Sequence, residues 1–250
     1  MQSVQRSLRV LETVASRQPV GVAELARSLE LPKSTVQRSL VTLAEQGWLE
    51  PVHGDYVRWS LGPAARRLAR ASARETTLRE AALVPMQALR DATDETIHLA
   101  VQDGVRWMVL IERMDSTQAV RTFNELGTRT PSYATSTGLS VLAHLPEAEL
   151  EELFAEPLEA FSPTTVVDAA ELRKELATVR DRGYAVNLCR YRPQVAAVGA
   201  PIRAAAGRPV GGICISMPDS RFRPDRVDEW GGLVADTAAT IGARLRGEPA

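Results

Sequence analysis

The sequence is poor in cysteine and has no long apolar run. Cys189 and Cys214 are the two cysteines among 250 residues, and their separation fits neither a metal site nor a disulfide framework. Reduced thiols are typical of a cytoplasmic protein. No apolar run approaches the ~18 residues of a membrane span, and the charged, amphipathic start lacks the apolar core of a secretory signal. We therefore predict a cytoplasmic protein with no membrane partner.

The motifs of common catalytic sites are missing as well. The chain contains no G-x-S-x-G, no glycine-rich phosphate loop, no H-E-x-x-H and no C-x-x-C. Neither cysteine lies beside a histidine in sequence, although folding can still bring the two side chains together. His98 and His144 have no acidic residue or cysteine at metal-ligand spacing, and we interpret both as packing or surface residues. We predict no enzyme, no metal site and no cofactor.

The charge that is present is distributed unevenly. Residues 1–74 hold 11 Lys and Arg against 6 Asp and Glu, whereas residues 75–250 hold 19 against 25. A basic first third and an acidic remainder indicate two modules with different partners. With the patterns described below, we predict a first domain at 1–62, a linker helix at 63–76 and a second domain at 77–250.

Hydrophobic periodicity predicts three helices and a hairpin within about the first sixty residues. The helices are VQRSLRVLETVA, VAELARSL and a third that starts near Lys33 and ends at Gly47. Two short runs rich in aromatic and β-branched residues, WLEPV and YVRWSL, flank a turn at HGD and predict the hairpin. This order of elements is typical of a winged helix-turn-helix.

The exposed start of the third helix consists of hydrogen-bond donors. Its polar positions are Lys33, Ser34, Thr35, Gln37 and Arg38. In helix-turn-helix proteins, the second helix of the motif enters the major groove of DNA by its N-terminal residues. The first three side chains suit phosphates. Gln37 suits adenine and Arg38 suits guanine, so we predict that these residues, with Arg58 of the wing, bind double-stranded DNA. A solvated helix face is the alternative interpretation.

The rest of the chain has a mixed pattern. Residues 63–92 predict an almost continuous helix that Pro85 kinks or interrupts. After Glu95, strands and helices are interspersed around several hairpins, one of them at Asp103-Gly104. This pattern predicts an α+β domain with a mainly antiparallel sheet flanked by helices.

These blocks resemble the IclR family of bacterial transcription regulators (isocitrate lyase regulator type) over nearly the whole chain. In the first module the matching positions are Ala26, Leu31-Pro32-Lys33-Ser34-Thr35, Gln37-Arg38, Leu40, Leu43, Gly47 and Trp59-Ser60-Leu61-Gly62. In the second module they are Glu95-Thr96-Ile97-His98-Leu99-Ala100, Gly183-Tyr184-Ala185 and Ala200-Pro201-Ile202. The resemblance implies a GAF-like effector domain and homodimers, often paired as a dimer of dimers (a homotetramer).

One position departs from the family pattern. Glu30 stands in the turn before the third helix, where a glycine is usual. A non-glycine residue in a left-handed turn costs on the order of 1 kcal/mol. We expect a slightly altered turn and an unchanged fold.

The resemblance also implies a small-molecule effector, such as an organic or aromatic acid, in the second domain. Carried over by position, its contacts are Ser136, Thr137, Asn187, Ala197, Cys214 and Ser216. Ser136, Thr137 and nearby backbone amides would hold a carboxylate at a helix N-terminus. Leu139 replaces a usual Lys, and Asn187 stands where an acidic residue is common. The pocket is therefore expected to prefer an apolar or aromatic acid over a very small oxoacid.

Structural interpretations of these residues stay open. Cys214 and Ser216 also fit small buried strand residues, and Asn187 fits a turn cap. The run 190–193 fits a solvated loop, or a loop over the mouth of the pocket.

The sequence thus predicts an effector-responsive DNA-binding regulator, with repression favoured over activation. Its N-terminal helix and linker helix would pair two chains, so that two recognition helices reach the half-sites of a near-palindromic operator. Two alternatives remain. One is an enzyme or sensor that uses the helix-turn-helix for docking, and the other is a winged helix that binds proteins instead of DNA.

Overall fold

The computed structural model describes residues 2–52, 54, 56–71, 77–203 and 207–248. Contacts within the chain divide it into two compact units, residues 1–75 and 76–250. The last part of the predicted linker helix, residues 72–76, lies outside the described residues, as do residues 53 and 55 of the predicted wing turn. None of the described helices is both long and apolar enough to cross a membrane.

The described residues of the first unit form four helices and a two-stranded sheet. In chain order these are α1 (Gln2–Arg17), α2 (Val22–Leu29), α3 (Lys33–Glu45), β1 (Leu49–Val52), β2 (Arg58–Leu61) and α4 (Pro63–Ala71). The apolar stripes of the first three helices meet in one core, where Val14, Leu25 and Leu40 are fully buried. The strands pair antiparallel, so the predicted helix-turn-helix with a hairpin wing is confirmed.

Two local features fix this arrangement. Val20, between α1 and α2, and Trp59 of the wing exchange backbone hydrogen bonds of 3.1 and 2.9 Å. Glu30 adopts the left-handed conformation at φ 54° and ψ 39°, and ends α2. The turn therefore keeps the geometry that glycine usually supplies, and the expectation of an unchanged fold is met.

The second unit begins with α5 (Leu78–Thr93), which a capping box opens. The Thr77 hydroxyl accepts from the Glu80 N–H at 3.2 Å, and the Thr77 N–H donates to the Glu80 carboxylate at 3.0 Å. Pro85 is buried within this single helix, so the predicted interruption does not occur. Packing of the apolar face of α5 against the sheet core compensates for the missing backbone donor.

A six-stranded antiparallel sheet forms the centre of the second unit. Its strands are β3 (Thr96–Asp103), β4 (Trp107–Met114), β5 (Arg129–Pro131), β6 (Ala185–Leu188), β7 (Val195–Arg203) and β8 (Pro209–Pro218), in the spatial order β5-β4-β3-β8-β7-β6. The remaining helices are α6 (Ser136–Leu142), α7 (Glu147–Phe154), α8 (Ala169–Arg182) and α9 (Val227–Leu245). The predicted α+β class with an antiparallel sheet is confirmed.

Helices cover both faces of the sheet. Because strand side chains alternate between faces, Ile97 and Ile215 pack with α5 and α9 on one side. Ala100 and Met108 pack with α6, α7 and α8 on the other. The central strands β3, β8 and β7 are consequently buried on both faces over most of their length, and the candidate site lies on the α6 side.

The first turn of α6 lies directly on the sheet. A Cβ at Gly199 of β7 would be 2.8 Å from the carbonyl carbon of Ser136, and one at Gly212 of β8 would be 2.8 Å from the carbonyl oxygen of Thr137. Side chains at these two strand positions would push the helix away. The two glycines therefore set the position of the α6 start.

Candidate functional site

The predicted DNA-contacting residues of the first unit are presented by the start of α3. Lys33, Ser34, Gln37 and Arg38 are exposed and Thr35 is half-buried. Within the described part of the chain, no ion pair or side-chain hydrogen bond engages Lys33, Gln37 or Arg38. Pro32 precedes the helix and provides no side-chain cap. The helix start thus offers cationic and amide donors to an external partner.

Arg58 is placed differently. It starts β2 of the wing, where its Nε donates to the carbonyl oxygen of Pro19 at 2.9 Å and its Nη2 lies 3.3 Å from the Glu24 carboxylate. The side chain remains half exposed. It therefore anchors the wing to α2 in the free chain, and its prediction as a DNA contact remains untested.

In the second unit, the structure brings the six predicted effector residues together on one cavity. The empty space of this cavity is about 600 Å³ when the open solvent at its mouth is included. The predicted residues on its wall are Ser136 and Thr137 of α6, Asn187 of β6, Ala197 of β7, and Cys214 and Ser216 of β8. Their role in binding remains a prediction.

The polar atoms on this wall differ in how they are used. Asn187 donates from Nδ2 to the carbonyl oxygen of Ala134 at 2.6 Å and accepts from the N–H of Arg190 at 3.1 Å. Its amide therefore holds the turn, as the structural interpretation expected. The hydroxyls of Thr137 and Ser216 form no hydrogen bond to another described residue and remain available to a ligand.

Of the further residues that line the cavity and that we did not predict as effector contacts, four carry an imidazole, amide, phenol or guanidinium group. They are His98, Asn124, Tyr191 and Arg192. His98 was interpreted as a packing or surface histidine. The alternation of strand side chains, however, places it on the same sheet face as Ala100. Tyr191 and Arg192 belong to the run 190–193, for which a loop over the pocket mouth was the second interpretation. Nothing in the sequence around Asn124 indicated its place.

Asn124 reaches the cavity because its loop, residues 115–128, is tied to the sheet. The buried Thr122 hydroxyl donates to the carbonyl oxygen of Ser216 at 3.2 Å. The Thr96 hydroxyl donates to the carbonyl oxygen of Thr122 at 3.3 Å. Arg192 donates to the carbonyl oxygen of Phe123 at 3.4 Å. Sheet, loop and mouth of the cavity are joined by these bonds.

His98 and Cys214 are directly opposite each other on β3 and β8. Folding has thus created the cysteine–histidine proximity that the sequence left open. Burial lowers the pKa of His98 to about 4, with the positive Arg113 and Arg192 adding to the effect. Burial raises the pKa of the Cys214 thiol to about 11. Both groups are neutral near pH 7, whereas nucleophilic catalysis requires a thiolate.

Within the described ranges, no group of three or more His, Cys, Asp or Glu side chains is placed to hold a metal ion. The cavity wall itself carries hydroxyl, amide, imidazole and guanidinium groups and, among its described residues, no carboxylate. These groups suit a small anion-bearing organic molecule.

Comparison with known families agrees with this division of the chain. Residues 3–53 match the IclR helix-turn-helix domain, and residues 70–243 match the domain described as the C-terminal part of the bacterial transcriptional regulator IclR.

The chain is similar to curated regulators along almost its whole length. It is 30% identical over 242 residues to the HTH-type transcriptional regulator BhcR of Paracoccus denitrificans, covering 96% of this chain and 86% of that protein. It is 30% identical over 244 residues to the transcriptional repressor IclR of Escherichia coli, covering 96% and 89%. These relatives are named as regulators, which supports a regulator and not an enzyme.

Solved structures give the same picture. An IclR homologue of Microbacterium hydrocarbonoxydans, crystallised with 4-hydroxybenzoate, is 27% identical with a TM-score of 0.82 and covers 98% of this chain and 100% of that chain. The IclR protein of Thermotoga maritima is 27% identical with a TM-score of 0.75, covering 98% and 99%.

Proposed function

Because the chain belongs to the IclR family of transcriptional regulators, we propose that it is a repressor whose binding to a specific operator is controlled by an organic acid. The acid occupies the cavity of the second unit, and an aromatic acid is favoured. The start of α3 reads the operator. The unpaired donors of that helix are the observation that carries the proposal.

The proposal for DNA rests on where the cations of α3 lie. Lys33 and Ser34, at the helix start, suit phosphate contacts, and Gln37 and Arg38 lie one turn later, where they can face base edges. Arg58 would bind phosphate only if DNA draws it away from Glu24. The assignments on α3 account for four donors or cations, and the acidic residue of this helix, Glu45, lies at its opposite end.

The proposal for the effector rests on the cavity. Its one charged residue among the described lining residues is Arg192, and the hydroxyls of Thr137 and Ser216 are unused. A carboxylate balances the arginine, while Ala100, Leu110 and Val195 provide apolar wall for a hydrocarbon body. The 4-hydroxybenzoate bound by the Microbacterium homologue is an acid of this kind.

We also propose a homodimer as the DNA-binding species, with a dimer of dimers as a further assembly. Val4 and Leu8 of α1 and Leu68 of α4 are 63, 51 and 60% exposed. Apolar side chains on two helices of the first unit suit pairing with a second copy. A two-fold dimer matches a near-palindromic operator.

The testing experiment measures binding of the purified protein to DNA upstream of its own gene and neighbouring genes. Binding is measured at two salt concentrations with excess unrelated DNA as competitor. We expect a selective complex that weakens steeply with salt, because cation–phosphate contacts release counterions. A folded protein that selects no sequence under any effector tested contradicts the proposal.

Arg38→Ala provides the residue-level test. We expect its affinity for the operator to fall about 10- to 100-fold and its preference over unrelated DNA to shrink, because a base contact contributes ~1–3 kcal/mol. Arg27→Ala, at an exposed position of α2, is the matched control and should change selectivity little. Equal selectivity of the Arg38 variant and the wild type would remove Arg38 from base reading.

A further inference from the structure

Two polar side chains on the wall of the cavity each have a fully buried atom without a hydrogen-bond partner in the described chain. His98 is 6% exposed, and its Nε2 is buried without a hydrogen bond. The Oδ1 of Asn124 is also buried and unpaired. Leaving a buried polar group without a hydrogen-bond partner destabilises the native state. Two such groups on one cavity indicate a ligand that pairs with them.

The chemistry of these two groups restricts that ligand. A neutral imidazole has one donor and one acceptor nitrogen, and a primary amide has both functions as well. A hydroxyl group both donates and accepts, so it satisfies either side chain. A carboxylate only accepts and would leave the Asn124 oxygen unpaired. The two side chains therefore favour a hydroxyl over a second carboxylate.

The cavity nevertheless also suits a negative charge. Arg192 is the single charged residue on the described part of its wall, and no described carboxylate faces it there. The guanidinium is held near Asn124 by its 3.4 Å hydrogen bond to Phe123. The site thus combines a cation for a carboxylate with two neutral groups for a hydroxyl.

We propose that the effector is a hydroxy acid, whose carboxylate is balanced by Arg192 and whose hydroxyl is bound by Asn124 and His98. This inference rests on the proposed function, since it assumes an acid in this cavity. It assigns effector recognition to two residues that the family resemblance did not indicate.

The test compares matched acids with and without a hydroxyl. Isothermal titration calorimetry on the full chain measures the affinities of the three isomeric hydroxybenzoates against benzoate, and of 3-hydroxybutyrate against butyrate. At least one hydroxy acid should bind about tenfold or more tightly than its parent, which corresponds to roughly 1.4 kcal/mol. The parent acid serves as the internal measure of an intact site.

Two variants assign the hydroxyl preference to residues. Asn124→Leu preserves volume and removes the amide, and His98→Phe removes the imidazole. Each should lower the hydroxy-to-parent affinity ratio several-fold while the parent acid still binds. His144→Gln, which removes a histidine outside the cavity, should leave the ratio unchanged.

The outcomes separate the two proposals. If acids bind but no pair shows a preference for the hydroxy form, or if the ratio survives in both variants, the hydroxy-acid inference is wrong and the acid-responsive regulator stands. If the protein selects its operator but neither series of acids binds, the acid effector itself is wrong and the inference falls with it.

Discussion

The cations of α3 in the first unit differ from the part-buried arginines of the second unit in whether they form ion pairs. In the second unit, Arg221 forms two hydrogen bonds of 2.6 Å with Glu95, and Arg190 lies 2.5 Å from Glu175. On α3 of the first unit, Lys33 and Arg38 are exposed and take part in no ion pair within the described residues. Burial makes pairing necessary, whereas water solvates an exposed cation. The paired arginines hold a fold together, and the unpaired cations are available to an external anion.

The unpaired groups of the second unit differ from those of α3 because they are buried. The Nε2 of His98 and the Oδ1 of Asn124 are unpaired although buried, so solvation by water does not satisfy them as it satisfies Arg38. One unit therefore keeps its binding groups outside its core and the other inside. Changes to buried groups should consequently affect stability, and changes to the exposed cations of α3 should affect partner binding alone.

The largest effect is expected from protonation of His98. The unfolded chain takes up a proton near pH 6.5, but the native His98 does so only near pH 4. As pH falls between these values, the native state therefore loses about 3 kcal/mol at this residue. Urea unfolding from pH 7 to pH 4 should show this extra loss in the wild type and not in His98→Asn. The wild type and the variant share the other two histidines. If their unfolding free energies changed equally with pH, the burial of His98 would be contradicted.

A smaller effect is expected from Gly212→Ala. The new Cβ would lie 2.8 Å from the carbonyl oxygen of Thr137, so α6 must shift. Overpacking of this kind costs about 2 kcal/mol, and acid binding should weaken with it. Gly232→Ala is the control, because nothing lies within 4 Å of that position on α9. Unfolding midpoints and calorimetry measure both effects, and a Gly212 variant as stable as the control would be inconsistent with this contact.

Glu30→Gly should stabilise the turn between α2 and α3 by about 1 kcal/mol. Glycine adopts φ 54° without the steric cost of a Cβ, although it gains entropy in the unfolded chain. Hydrogen exchange of amides in α2 and α3 of the full chain should slow relative to the wild type. Unchanged or faster exchange would mean that the turn is not strained.

The smallest effect on stability is expected from Arg38→Ala. An exposed side chain without partners contributes within ~0.5 kcal/mol to folding, so the unfolding midpoint should stay close to that of the wild type while operator binding falls. A clear loss of stability would erase the contrast between the two units.

Much of the first unit was predicted from local sequence patterns. The apolar stripe of Val36, Leu40 and Leu43 predicted both α3 and its exposed donor face, because neighbours on a helix are three and four residues apart. The antiparallel character of the second sheet followed from hairpins such as Asp103-Gly104. Pro85 does not interrupt α5, because tertiary packing compensates for the missing backbone donor.

The sequence by itself determined the helix-turn-helix, its donor face, the α+β class and, through family resemblance, six residues of one cavity. Only the tertiary structure placed Cys214 opposite His98, brought Asn124 and Arg192 to the same cavity and showed Arg58 bound to Glu24. The reason is the range over which the residues interact. The helix α3 is specified by the residue pattern of one segment about four turns long. The cavity forms from loops and from strands that are distant along the chain, and no local hydrophobic pattern specifies how those strands pair.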